Sequence, residues 1–136
     1  KPDATIDMST QDLATELKKL TDGRGPNIII TAAPSGKAQE DAISLVSAGG
    51  KVSFFGGLPK ENPFIKCDSN IVHYKEVTLY GANGSSPAQN QQALNMIASG
   101  EVKVSDLITH RVKLENVQSA IDAVLSGQAI KVVINP

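Results

Sequence analysis

Three short aliphatic runs along this chain each end in small residues and give way to a helical pattern. Residues 27–33 lead into Pro34-Ser35-Gly36, residues 51–55 into Gly56-Gly57-Leu58-Pro59, and residues 77–80 into Gly81-Ala82-Asn83-Gly84. Runs of this length cannot alternate with amphipathic helices as hairpins. They imply βαβ units and a mostly parallel sheet, with right-handed crossovers and helices on both faces. In open α/β sheets, ligands bind beyond the carboxyl ends of the strands. A double glycine there lets a ligand approach the main chain.

The remaining punctuation fills in the order. Residues 4–7 read as a short strand. Ser9 with Asp12 resembles a capping box, with Met8 and Leu13 at staple positions, and Leu13, Leu17 and Leu20 repeat at helical spacing up to Gly23. Ala38, Ala42, Leu45 and Val46 mark a second helix ending at Ala48-Gly49-Gly50. Residues 59–72, with Pro59, Pro63 and a polar Cys67-Asp68-Ser69-Asn70 patch, read as irregular. Ser86 and Pro87 open a helix in which Leu94 and Ile97 are expected to face inward. Residues 108–114 alternate as a strand. Val117, Ala120, Ile121, Val124 and Leu125 form the cleanest amphipathic stripe, and residues 130–134 are a final strand.

At 136 residues the chain has the size of one ordinary domain. With aromatics at 4% and no Trp, its core must be aliphatic. The net charge is −1 and the Lys and Arg are dispersed, so the sequence suggests no nucleic-acid footprint or membrane-surface patch. No apolar run approaches the ~20 residues of a membrane span. A lone Cys67 permits no intrachain disulfide and fits a cytoplasmic setting. The first residue is Lys1 rather than Met, so the expectation is either that the start was removed or that this is a piece of a longer protein.

Binding motifs are sparse. No G-x-G-x-x-G occurs: Gly23-Arg24-Gly25 precedes a strand, and Gly81-Ala82-Asn83-Gly84 lacks the third glycine. Cys67, His73 and His110 do not meet a zinc spacing. What remains are the strand ends: Ala32 and Ala33, then Phe55, Gly56, Gly57 and Leu58, then Gly81, Ala82 and Asn83. Side by side they form a floor of backbone groups for a flat ligand, or simply three tight turns. Lys131, early in the last strand, is either a solvated edge lysine or a cation for phosphate.

The order of segments resembles a known family. Thr21-Asp22-Gly23-Arg24-Gly25, residues 28–33, Gly49-Gly50-Lys51-Val52, Phe55-Gly56-Gly57-Leu58-Pro59, His73-Tyr74-Lys75-Glu76-Val77-Thr78, Ile108-Thr109-His110-Arg111 and Gly127-Gln128-Ala129-Ile130-Lys131-Val132-Val133 follow one another. They do so as in the C-terminal part of zinc-dependent medium-chain alcohol dehydrogenases. The sorbitol/polyol and threonine dehydrogenase branch is the most similar.

The resemblance implies an incomplete doubly wound, Rossmann-like parallel sheet without its first two strands, followed by a short return segment. Residues 1–104 would be the C-terminal portion of the NAD(P)-binding domain, with residues 1–8 as its third strand. Residues 105–136 would belong to the catalytic domain. It implies that Ala32, Ala33, Phe55, Gly56, Gly57, Leu58, Gly81, Ala82 and Asn83 line the nicotinamide side of the cofactor cleft. Lys131 would reach the cofactor diphosphate. The parent would oxidise a secondary alcohol or polyol to a ketone, with NAD or NADP taking the hydride and zinc polarising the alkoxide. The zinc ligands and the phosphate cradle would lie upstream, and this chain alone would be inactive. The strand Val77-Thr78-Leu79-Tyr80 would pair with a second copy in a homo-oligomer.

Asn83 and Gly84 depart from polyol dehydrogenases, which carry an aromatic or basic residue there. A non-catalytic half-Rossmann interaction or dimerisation module is the alternative; a methyltransferase-like protein would need a glycine-rich first turn. The usual strand order 3-2-1-4-5-6 leaves residues 27–33 with an unpaired edge. Either residues 1–8 shift to cover it, another chain does, or the missing strands do.

Overall fold

The computed structural model describes residues 2–136 and forms two compact units, one ending at Gly84 and the other spanning Ser85–Pro136. The fold is α/β, with only parallel strand pairing among the described residues.

In the first unit α1 (Leu13–Leu20) precedes β1 (Ile28–Thr31), α2 (Gly36–Leu45), β2 (Lys51–Phe54), α3 (Ser69–Tyr74) and β3 (Thr78–Gly81). The sheet order is β1-β2-β3. Its core is aliphatic: Ala42 and Val46 of α2 and its cap, Val52 of β2 and Val77, with Ile29, Phe54 and Val72 against them. Strand residues alternate between faces, so Ile29 and Val52 point to α2 and α3 while Ile28 and Ile30 point away and are 64% and 63% exposed. Helices were expected on both faces. Instead, both crossovers run in the same direction across the sheet, and two right-handed crossovers in one direction place their helices on one side.

Three further expectations are corrected. Residues 4–7 form no strand; they run into a turn in which Gln11 N–H donates to Asp7 O at 2.8 Å. Residues 2–8 therefore do not pair beside β1, whose outer edge has no partner strand among the described residues. The cap of α1 is Asp12, not Ser9: Thr15 N–H and Oγ1–H donate to Asp12 Oδ1 at 2.9 and 2.6 Å. Those two bonds, the hydroxyl first, hold the Asp12 carboxyl below its ordinary range. Within the stretch read as irregular, Asp68 accepts from Asn70 N–H and starts α3. Lys75, just after α3, donates from Nζ to Ser44 O and Val46 O at 2.9 and 3.1 Å, satisfying carbonyls at the end of α2.

The second unit holds α4 (Pro87–Ala98), β4 (Ile108–Lys113), α5 (Val117–Leu125) and β5 (Lys131–Asn135). β4 and β5 pair in parallel around α5, with a register irregularity between Ile108 and His110. A full capping box at Ser86 and Gln89, with Pro87 at the first turn, fixes the start of α4. Leu94, expected to face inward, is 60% exposed, and α4 has no buried residue. On α5 only Ala120 is buried, while Leu125 is 80% exposed. No helix among the described residues is long and apolar enough to cross a membrane.

Candidate functional site: the carboxyl ends of β1, β2 and β3

The register brings three strand ends to one level. Thr31 stands opposite Phe54, and Phe54 opposite Gly81. The ladder continues one step beyond: Gly56 N–H donates to Thr31 O at 2.7 Å and Ala82 N–H to Phe54 O at 3.2 Å. Ala32 and Ala33, Phe55 to Leu58, and Gly81 to Asn83 thus emerge together at one end of the sheet. Side-chain bulk is low, as the sequence suggests, except at two positions. Phe55 is 61% exposed. Leu58 leans over the start of α2, where a Cβ added at Gly36 would lie 3.9 Å from its Cδ1.

The glycines of this floor differ in why they are glycine. A Cβ on Gly56 would meet Ala33 O at 2.8 Å and Ala33 C at 2.9 Å, so the chain's own packing demands glycine there. A Cβ on Gly57 or on Gly81 would meet nothing within 4 Å, and neither residue has positive φ. Open space above an unhindered main chain fits a flat group laid against it. None of these nine residues carries an ionisable side chain, so the floor can bind and orient but cannot move a proton.

One contributor was not legible in the sequence. Gln39 of α2 is only 5% exposed, and its Nε2 donates to Gly56 O at 3.0 Å. An amide on a helical face gives no signal that its partner lies on a strand-end turn 17 residues away.

The structure places Lys131 in the second unit as the first residue of β5, opposite Ile108. Its carbonyl accepts from Thr109 Oγ1 at 3.3 Å, and it makes no ion pair among the described residues. Cys67 is a free, exposed thiol. Among the described residues no three His, Cys, Asp or Glu side chains gather as a metal site requires, so zinc does not fit the residues present.

A parallel sheet with its crossover helices on one side and a small-residue floor at its carboxyl end is Rossmann-like α/β architecture. Comparison with known proteins narrows the class. The chain belongs to the zinc-binding dehydrogenase family, whose model matches residues 2–99. It is 27% identical over 134 residues to a sorbitol dehydrogenase of Halalkalibacterium halodurans, taking in 98% of this chain and 38% of that protein. An L-threonine 3-dehydrogenase of Pyrococcus furiosus is 26% identical over 134 residues, or 96% of this chain and 38% of that protein. Among solved structures, a short chain alcohol dehydrogenase from E. coli CFT073 complexed with NADH superposes with a TM-score of 0.80. It shares 20% identity over 98% of this chain and 39% of its own. The chain therefore spans about 38% of the length of the curated relatives it matches, corresponding to the C-terminal, Rossmann-like part of such dehydrogenases.

Proposed function

We propose that this chain forms the nicotinamide side of the cofactor cleft in a zinc-type, NAD(P)-dependent alcohol or polyol dehydrogenase. One observation carries this: three parallel strands end at a common level in an open floor whose Gly57 and Gly81 face no atom of the chain. Family membership and the NADH-bound neighbour support it. In this role Ala32, Ala33, Phe55, Gly56, Gly57, Leu58, Gly81, Ala82 and Asn83 line the nicotinamide pocket, and Lys131 meets the cofactor diphosphate. When bound, the nicotinamide supplies the hydride acceptor for oxidation of a secondary alcohol. The residues here hold it flat and keep water from one side. Any zinc would be held by residues outside this chain.

Residues 1–104 are proposed as the C-terminal portion of the nucleotide-binding domain and 105–136 as a return to the catalytic domain. The family match ending at residue 99 supports that division. The outer edge of β3 supports pairing of residues 77–80 with a second copy. A non-catalytic interaction module is the second reading, favoured by the uncovered stripe of α5. One measurement separates them, and a second tests the missing phosphate cradle. The full-length protein should reduce NAD or NADP in the presence of a secondary alcohol or polyol, and no reduction with any tested would reject the dehydrogenase assignment. The 136-residue chain alone, lacking a phosphate cradle, should bind NAD more weakly than about micromolar by calorimetry.

The β1 edge gives a further prediction. A groove of about 610 Å³ runs along it, lined by Met8, Leu13, Leu17, Ile28, Ile30 and Leu45 among others. If chain outside these residues supplies the neighbouring strand, amide exchange across residues 28–30 in the full-length protein is slow at every position. Fast exchange at alternate positions would mean that the outer edge stays open.

A further inference from the structure

We infer that Gln39 is a positioning residue that locks the peptide between Gly56 and Gly57, aiming the Gly57 N–H at the nicotinamide end of the bound cofactor. The inference rests on the cofactor-cleft reading proposed above.

A buried primary amide is costly unless it is hydrogen-bonded, and an aliphatic residue would pack this face of α2 as well. Gln39 spends its burial on one partner outside its helix, the Gly56 carbonyl, at 3.0 Å. The same residue is fixed at its other end, where Gly56 N–H donates to Thr31 O at 2.7 Å. No peptide bond among the described residues is cis. In a planar trans peptide the N–H points opposite to the C=O. With the Gly56 carbonyl turned toward α2, the Gly57 N–H must point away from it. That N–H finds no backbone acceptor among the described residues, and the space beside Gly57 is open.

Two adjacent glycines are the pair least able to hold one peptide orientation unaided, because neither has a Cβ to restrict φ and ψ. The Gln39 bond supplies the restriction. It leaves one oriented donor on the floor, able to meet an acceptor atom at the nicotinamide end, and it does so without touching the cofactor.

The test uses the full-length dehydrogenase and two ligands, NADH and ADP-ribose, which lacks the nicotinamide. Gln39→Met keeps the volume and removes the donor; Gln39→Glu is nearly isosteric, and its carboxylate accepts only. A lost hydrogen bond of this kind corresponds to a weakening of roughly three- to tenfold. Both variants are expected to show that loss for NADH while ADP-ribose binding stays within about twofold. A fold defect would weaken both ligands together, and that result in both variants overturns the inference, as does unchanged NADH affinity in a folded variant. If the wild-type protein binds ADP-ribose but not NADH, or neither, the cofactor-cleft reading itself has failed, and this inference with it.

Discussion

Alanine at Gly56 is expected to destabilise the full-length protein by about 1–3 kcal/mol, while alanine at Gly57 leaves stability within about 0.5 kcal/mol and weakens cofactor binding. The two residues are adjacent and look interchangeable in sequence, yet their surroundings are opposite. The added Cβ at Gly56 would sit 2.8 Å from Ala33 O, a backbone atom that moves only if β1 or the turn moves with it. That shift would also disturb the bond from Gly56 N–H to Thr31 O. At Gly57 the added methyl meets nothing within 4 Å and φ is not in the left-handed region, so the free protein accepts it. In the proposed cleft, a methyl there would fill space that the nicotinamide uses. Denaturant unfolding of the two variants, beside NADH titration of each, checks the contrast. Equal stability losses would mean that the Gly56 turn can relax. Undiminished NADH affinity in Gly57→Ala would show that no ligand lies against this main chain.

That contrast also marks how far the sequence could be read. The positions of β2 and α2, and the small residues at the strand ends, follow from short aliphatic runs and the glycines that stop them, and the start of α4 follows from its cap at Ser86. These signals are local, and local physics decides them. What failed depended on a partner. Residues 4–7 have strand composition but no neighbouring strand, and an extended segment without a ladder satisfies its backbone in a turn instead. The helix α3 was hidden behind Pro59, Pro63 and a polar patch, although Asp68 followed by Ile71 and Val72 carries a cap and an apolar step. Leu94 and the α5 stripe have the spacing of buried faces, yet most of those side chains stay exposed. Periodicity shows which face wants cover, not what covers it. At the carboxyl end of the sheet, the small residues that end the strands stand in the sequence itself. The clamp from Gln39 does not, because a hydrogen bond between a helix and a distant turn leaves no spacing in the sequence.

If Lys131 meets the cofactor diphosphate as proposed, Lys131→Ala in the full-length protein is expected to raise the KM for the cofactor by roughly ten- to a hundredfold, the range of a lost charge-assisted hydrogen bond, with little change in stability. The structure supports separating these effects. Lys131 opens β5 and holds its register through its backbone, whose carbonyl accepts from Thr109 Oγ1, and alanine retains that bond. The side chain makes no ion pair among the described residues, so removing it breaks no internal contact of that kind. A cation near a diphosphate acts largely through charge, and Lys131→Arg should therefore retain most of the affinity. The wild-type advantage over alanine should also shrink as salt is raised, because exposed charges are screened within about 10 Å at 0.1 M ionic strength. A KM that does not change in Lys131→Ala would return this residue to an ordinary solvated lysine at a strand edge. A fall in thermal stability matching the loss in affinity would point instead to a packing role for its aliphatic stem.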